Sequence, residues 1–264
     1  MLLIGNGCLV TRDQGKYIEN GAVAIDGNLI VEVGETAALR AKYPEAEWMD
    51  AAGGVIMPGL VNTHNHIYSA FARGLSINNY NPHDFNDILE GMWWKIDRLL
   101  TKENDSLSAQ AVYIDCIKNG VTTVFDHHAS YYDIPGSLDT IADAAKQLGV
   151  RTSLCYEVSD RDGKAKMTEA VLENERMILR ANTDESDMLK GMMGLHAAFT
   201  LSDETLALCK KHTPDYTGAH IHVAEGPGDQ IDSLKKYGKR IVERLYENGI
   251  LGEKTLAIHC VHVS

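Results

Sequence analysis

Val55-Ile56-Met57-Pro58-Gly59-Leu60-Val61-Asn62-Thr63-His64-Asn65-His66 is the stretch that decides the fold. It is an apolar run of strand length that ends in two imidazoles one residue apart. Side chains at i and i+2 of an extended chain point to the same side, so His64 and His66 can reach one ion. Neutral imidazole ligates zinc, iron and nickel, which makes His-x-His at the mouth of a buried strand half of a metal site. The chain has 11 histidines in 264 residues, so a chance His-x-His is common and an isolated one is more often surface or hydrogen-bonded core. The context downstream raises it.

After His66 the pattern alternates between helix and strand. Helical runs are expected over 105–119, 137–149, 168–181, 202–211 and 235–248, and strands over 121–125, 151–156, 191–196, 219–223 and 255–259. Counted from Val55 this gives six strands separated by helices, which means parallel strands with crossover helices. Ligand-type residues stand at the C-terminal ends of most of them: His64 and His66, then Asp126, His127 and His128, then His196, then His222 and Glu225, then His259 and His262. A (β/α)8 barrel builds its site in that way, whereas a doubly wound sheet concentrates it at one switch point. The expected fold is therefore an α/β barrel of the TIM type, incomplete at about six strands. The chain ends at Ser264 directly after a site-like strand, so a C-terminally incomplete molecule is expected.

Residues 1–56 read as short strands and turns, with Asp26-Gly27-Asn28 as a hairpin signal. They carry too few apolar residues to stand alone, and are expected to pack on another part of the molecule or to need strands from elsewhere in the gene product, with 57–264 as the barrel.

Composition narrows the function. With 25 Lys and Arg against 37 Asp and Glu, the net charge is −12, and no long basic run suggests nucleic acid or an anionic membrane. Small neutral or cationic substrates fit better. Five scattered cysteines without Cys-x-x-Cys read as reduced thiols, and no run approaches transmembrane length, so a cytoplasmic location is expected.

His220-Ile221-His222-Val223-Ala224-Glu225 carries most of the expected mechanism. His222 would be a third metal ligand, and Glu225 could move protons between the activated water and the leaving group. The plainer reading is a strand with two hydrogen-bonded histidines and a loop glutamate. His259 would polarise a carbonyl or orient water; otherwise it is a satisfied core histidine. His196 could contact substrate or simply pack. His127 and His128 are adjacent, so at most one faces the site, and His83 and His212 are expected in solvent. Trp93 and Trp94 follow a long connection from Ser69 and could wall the mouth. No lysine stands at the end of the fourth strand to bridge two metals, so one divalent ion is expected, of the kind that neutral imidazole ligates: zinc, iron or nickel.

The motifs Pro58 to His66, His222-Val223-Ala224-Glu225 and His259-Cys260-Val261-His262, in this order, resemble the amidohydrolase superfamily. The resemblance is to its aminohydrolase branch of atrazine-type chlorohydrolases and guanine and adenosylhomocysteine deaminases, and nearest to the SsnA-type aminohydrolases. It implies a (β/α)8 barrel with a small β-sandwich made from both chain ends, and metal ligands at His64, His66 and His222. It also implies a proton shuttle at Glu225, a nucleophile-holding histidine at His259 and a substrate contact at His196. The implied reaction is hydrolytic deamination of an amino-substituted, purine-like N-heterocycle. Displacement of halide or alkylamine, opening of a cyclic amide, and a non-catalytic metal-binding form are the alternatives. The family's fourth ligand, an aspartate at the end of the eighth strand, lies beyond this sequence, so the 264-residue form could lack activity. The expected partner is a small heterocyclic molecule, and a homo-oligomer is compatible with the reading.

Overall fold

The computed structural model describes residues 1–264 except Gln14, Asn79 and Ser264, and the chain divides into compact units at 1–59 and 60–264. In the first unit β1 (Leu2–Val10), β2 (Tyr17–Asp26) and β3 (Leu29–Glu35) form an antiparallel meander. Asp26 pairs with Leu29 across the two-residue loop Gly27-Asn28, and Gly27 supplies the positive φ of 59° that this turn needs. β4 (Glu47–Asp50) and β5 (Val55–Ile56) add to β1 in parallel. The helix Thr36–Lys42 places Leu39 over Leu3, Ala22 and Ala24, which make a small core.

The expected strand from Val55 to His66 is divided in the structure. Val55 and Ile56 belong to the first sheet, and β6 (Leu60–Asn65) opens the second unit. Pro58 has no N–H for a ladder, and Gly59 follows it, so the run breaks between them and Ile56.

The second unit is an arc of parallel strands. β6 pairs β7 (Val121–His128), β7 pairs β8 (Arg151–Tyr156), and β8 pairs β9 (Leu189–Gly191). β10 (Met193–Ala197), β11 (Ala219–Val223) and β12 (Leu256–His259) continue it in parallel. β9 and β10 are two halves of one expected strand. Met192 N–H donates to Leu154 O at 3.0 Å and Met193 N–H donates to Gly218 O at 3.0 Å, so the strand hands over from one neighbour to the next at this point. Gly194 permits the close approach there, because a Cβ on it would lie 2.3 Å from Tyr156 O. Helices Lys102–Lys118, Ser137–Leu148, Gly163–Asn182 and Asp203–Lys211 cover the outside, burying Leu138, Ile141, Met177, Ile178 and Leu206 against Leu154, Leu195 and Ile221. This is the α/β barrel architecture expected from the alternation.

The helix expected over 235–248 is also divided, into Pro227–Tyr237 and Ile241–Glu247. Gly238 takes a left-handed φ of 66° and its N–H donates to Leu234 O, which ends the first helix. No helix among the described residues is long and apolar enough to cross a membrane.

Candidate active site

Parallel strands deliver their last residues to one end of the arc, and the histidines collect there. His64 lies on β6 and His66 just past its end; His220 and His222 lie on β11, His196 on β10 and His259 at the end of β12. The turn after His66 is pinned by Ile67 N–H, which donates to Asp126 Oδ1 at 2.6 Å. Asp126 is fully buried, and that burial pushes its carboxyl up to about 7.

The hydrogen bonds fix the imidazole tautomers. His66 Nδ1 is 2.8 Å from His127 O, and His222 Nδ1 is 2.8 Å from His196 O. A carbonyl only accepts, so both Nδ1 atoms carry the proton and both Nε2 atoms keep lone pairs. Those two Nε2 atoms face each other at 3.2 Å. Two lone pairs at this distance repel unless a cation lies between them, and two nitrogens on a tetrahedral ion with arms of about 2.0–2.1 Å stand about 3.3 Å apart.

His64 stands beside this pair, its ring centroid 4.7 Å from that of His66 and 5.0 Å from that of His222. Its Nδ1 is 2.9 Å from His220 Nε2, and its own Nε2 is buried without a partner. The ring nitrogens of His64, His222 and His259 lie within 4.8 Å of one another, as do those of His66, His127 and His222. Burial, reinforced by the neighbouring imidazoles, lowers His64 and His220 to about 3 and pushes His66 and His222 down as well. All four are thus neutral at pH 7, the form that ligates. These neutral imidazoles form two overlapping groups with metal-ligand spacing, both sharing His222: one takes in His64 and the other His66.

Glu225 arrives by a strained turn. Ala224 has φ 50°, a left-handed value uncommon outside glycine, and its N–H donates to Asp229 Oδ2 at 3.0 Å. The turn brings Glu225 Oε2 to 3.4 Å from His259 Nε2. Burial raises the Glu225 carboxyl and His259 opposes the rise. His259 and Cys260 are left-handed too, at 69° and 53°, with Cys260 N–H held on Val223 O at 2.9 Å.

A cavity of about 250 Å³ joins these groups: His64, His66, His222, Glu225 and His259 all line it. Trp93, Trp94, Phe85 and Leu89 form an apolar side, drawn from the connection after Ser69, and His196 and Glu157 also line it. The wall expected of Trp93 and Trp94 is therefore present. His127 turns toward the other histidines, donating from Nε2 to Leu195 O at 3.0 Å, whereas His128 turns away to Ser130 Oγ at 2.9 Å and Asp105. His83 and His262 are exposed, and His262 is not among the cavity residues. His212 departs from the solvated reading: it is half-buried, with Nδ1 3.0 Å from Glu175.

Several residues here gave no signal in the sequence. Glu157 follows β8 at 3% exposure, beside Arg161, which bonds Asp97 and lies 4.0 Å over the Tyr131 ring and 5.1 Å from the Trp94 ring. Burial raises Glu157, and it pushes Asp97 up to about 6 against the pull of Arg161. His220, weighed only as part of a histidine-rich strand, proves to be the partner of His64 Nδ1. A lone acid before a loop, or a histidine two places from a better candidate, is found only once neighbouring strands bring partners to it.

Comparison with known proteins bears on the family and the fold. The sequence profile of the amidohydrolase family matches residues 55–264, and that of the bacterial imidazolonepropionase-like composite domain matches 21–46. A 5′-deoxyadenosine deaminase of Methanosarcina barkeri is 30% identical over 265 residues, covering 100% of this chain and 58% of its own length. A 5-methylthioadenosine/S-adenosylhomocysteine deaminase of Caldanaerobacter subterraneus is 28% identical over 270 residues with the same coverage. The chain thus spans about 58% of the length of these curated relatives. Among solved structures, E. coli guanine deaminase superposes with a TM-score of 0.82 at 20% identity, over 100% of this chain and 63% of that one. An atrazine chlorohydrolase from Arthrobacter aurescens complexed with zinc does so at 0.80 and 23%, over 99% and 61%. At these identities the two structures bear on the fold alone.

Proposed function

The chain belongs to the amidohydrolase family, and from that premise we propose that it is the catalytic part of a metal-dependent aminohydrolase that deaminates an amino-substituted N-heterocycle of the purine kind. The observation that carries this reading is the pair of Nε2 lone pairs of His66 and His222 at 3.2 Å, beside the unpartnered His64 Nε2, in the same cavity as Glu225. The deaminases among its relatives support the reaction type.

Zinc is the proposed ion, with iron as the alternative, held by His64, His66 and His222; when bound it brings the pKa of its water toward neutrality. Glu225 takes the proton from the attacking water. Burial raises its carboxyl above the ordinary value, which favours holding that proton between the two transfers. The water oxygen bonds to the ring carbon that bears the amine while Glu225 passes the first proton to the ring nitrogen; Glu225 then takes the second proton from the added hydroxyl and gives it to the amine, which leaves as ammonia as the carbon–nitrogen bond breaks and the carbonyl forms. His259, 3.4 Å from Glu225, steadies the attacking oxygen, and His196 contacts the ring. The apolar side made by Trp93 and Trp94 suits a flat heterocycle and keeps bulk water from the reacting carbon.

The test is ammonia release from a panel of aminated heterocycles by the zinc-loaded protein and its Glu225→Gln variant. Glu225→Gln is expected to lose at least about 100-fold in kcat, in line with the usual worth of a positioned acid–base group. Near-normal turnover by Glu225→Gln would reject the assignment.

A further inference from the structure

We propose that Glu157 and His196 form an acceptor wall in the cavity that selects a ring carrying a second N–H donor besides the amine that leaves. This rests on the deaminase reading above and adds the substrate class to it.

The His196 tautomer follows from Thr200. The Thr200 hydroxyl has one hydrogen, which it donates to Ala197 O at 3.0 Å. The same oxygen is 2.8 Å from His196 Nδ1, and both contacts are hydrogen bonds only if Nδ1 carries the proton. His196 Nε2 therefore keeps a lone pair on a side chain that lines the cavity.

Glu157 reaches the same cavity from the neighbouring strand end. Val158 bridges Leu195, and His196 N–H donates to Val158 O at 2.9 Å, which sets the two residues side by side at the mouth. The nearest charged partners of the Glu157 carboxylate are Arg161 Nη2 at 3.5 Å and His127 Nδ1 at 3.7 Å. Both are longer than a charge-assisted hydrogen bond of about 2.7–2.9 Å. His127 Nδ1 offers no proton, because the ring already donates from Nε2 to Leu195 O. Arg161 is committed to Asp97 and packed against Tyr131 and Trp94, so it acts as a fixed counter-charge.

Two acceptors with unspent lone pairs, one of them only 3% exposed, thus share one cavity. A ligand N–H satisfies them. A ligand lone pair leaves both sides unpaired, and buried sites discriminate strongly against that. An amino or lactam N–H on the ring, beyond the amine undergoing reaction, is the matching chemistry.

The probes are 9-methyladenine and 9-methyl-2,6-diaminopurine, which differ by one amino group and carry no ring N–H, so that only the second has an N–H donor besides the amine that leaves. Their dissociation constants would be measured by calorimetry on the zinc-loaded protein and on Glu157→Gln and Glu157→Leu, with zinc content determined for each. The wild type is expected to bind 9-methyl-2,6-diaminopurine at least about 10-fold more tightly, the worth of one hydrogen bond to a charged group. Glu157→Gln should lower that ratio and Glu157→Leu should bring it to within about twofold of unity, with zinc content unchanged. If the leucine variant does not fold, the wild-type ratio and the isosteric glutamine variant decide. Equal affinity in the wild type, binding of neither probe, or an unchanged ratio in the variants would overturn the proposal. Preferential binding without ammonia release would sink the deaminase reading and leave this one standing. Ammonia release with equal affinities would do the reverse.

Discussion

His220 never touches the proposed ion, yet the geometry makes metal affinity depend on it. His64 offers Nε2 as a ligand only while Nδ1 carries the proton, and His220 Nε2, 2.9 Å away, is the acceptor that holds it there. The two rings lie 5.1 Å apart, and His220 is only 1% exposed, so water cannot replace the bond. In His220→Phe a ring of similar size fills the space, but the buried His64 N–H is left unpaired at a cost of about 1–3 kcal/mol. That cost falls on the metal-competent tautomer alone, so the zinc dissociation constant should rise about 10- to 100-fold, the usual effect of losing a partner behind a ligand histidine. His220→Gln, whose carbonyl can accept, should lose less than about 10-fold. The assay is competition for zinc against a chromophoric chelator, with circular dichroism to check that each variant is folded. A folded His220→Phe that bound zinc within about threefold of wild type would refute the tautomer argument.

Two further outcomes follow from buried charge. Arg244 is 1% exposed, donates to Ala198 O at 2.8 Å, Leu201 O at 2.6 Å and Asp203 Oδ1 at 2.8 Å, and lies 3.5 Å from the Tyr237 ring centre. Arg244→Met strands those two carbonyls and should cost about 3–5 kcal/mol in urea unfolding, loosening the Ala198–Leu201 turn that carries Thr200. Asp126 is held at about 7 by burial, so between its unfolded pKa and 7 the folded protein binds the extra proton and loses stability as pH rises. Asp126→Asn keeps the acceptor for Ile67 N–H and removes that loss. In metal-free protein the variant should gain on wild type by about 2–3 kcal/mol between pH 5 and pH 7, and a pH-independent difference would contradict the assignment.

The barrel architecture was legible because parallel strands buried on both faces read as apolar runs, and because a barrel writes its site at strand ends. That rule drew attention to His64, His66, His196, His222, Glu225 and His259 from spacing and position, and the structure gathers all six around one cavity. Continuity was harder to read. Pro58 and Gly59 split one expected strand between two sheets, Met192 splits another, and Gly238 divides a helix whose apolar periodicity runs on past it. The buried charges left no trace in the sequence. Glu157 and Arg161 stand four residues apart, Asp97 lies 64 positions from Arg161, and all three look like surface residues until the fold brings them together beside Tyr131. The role of His220 depends on a bond to a residue 156 positions away.

The most direct test of the three-histidine site is the metal content of the protein purified without added metal, set beside a variant carrying both His64→Ala and His66→Ala. The geometry predicts about one zinc or iron per chain in the wild type and none in the variant. A wild-type chain that holds no divalent metal even after exposure to zinc, or a variant that retains it, would contradict the site on which the proposed chemistry depends.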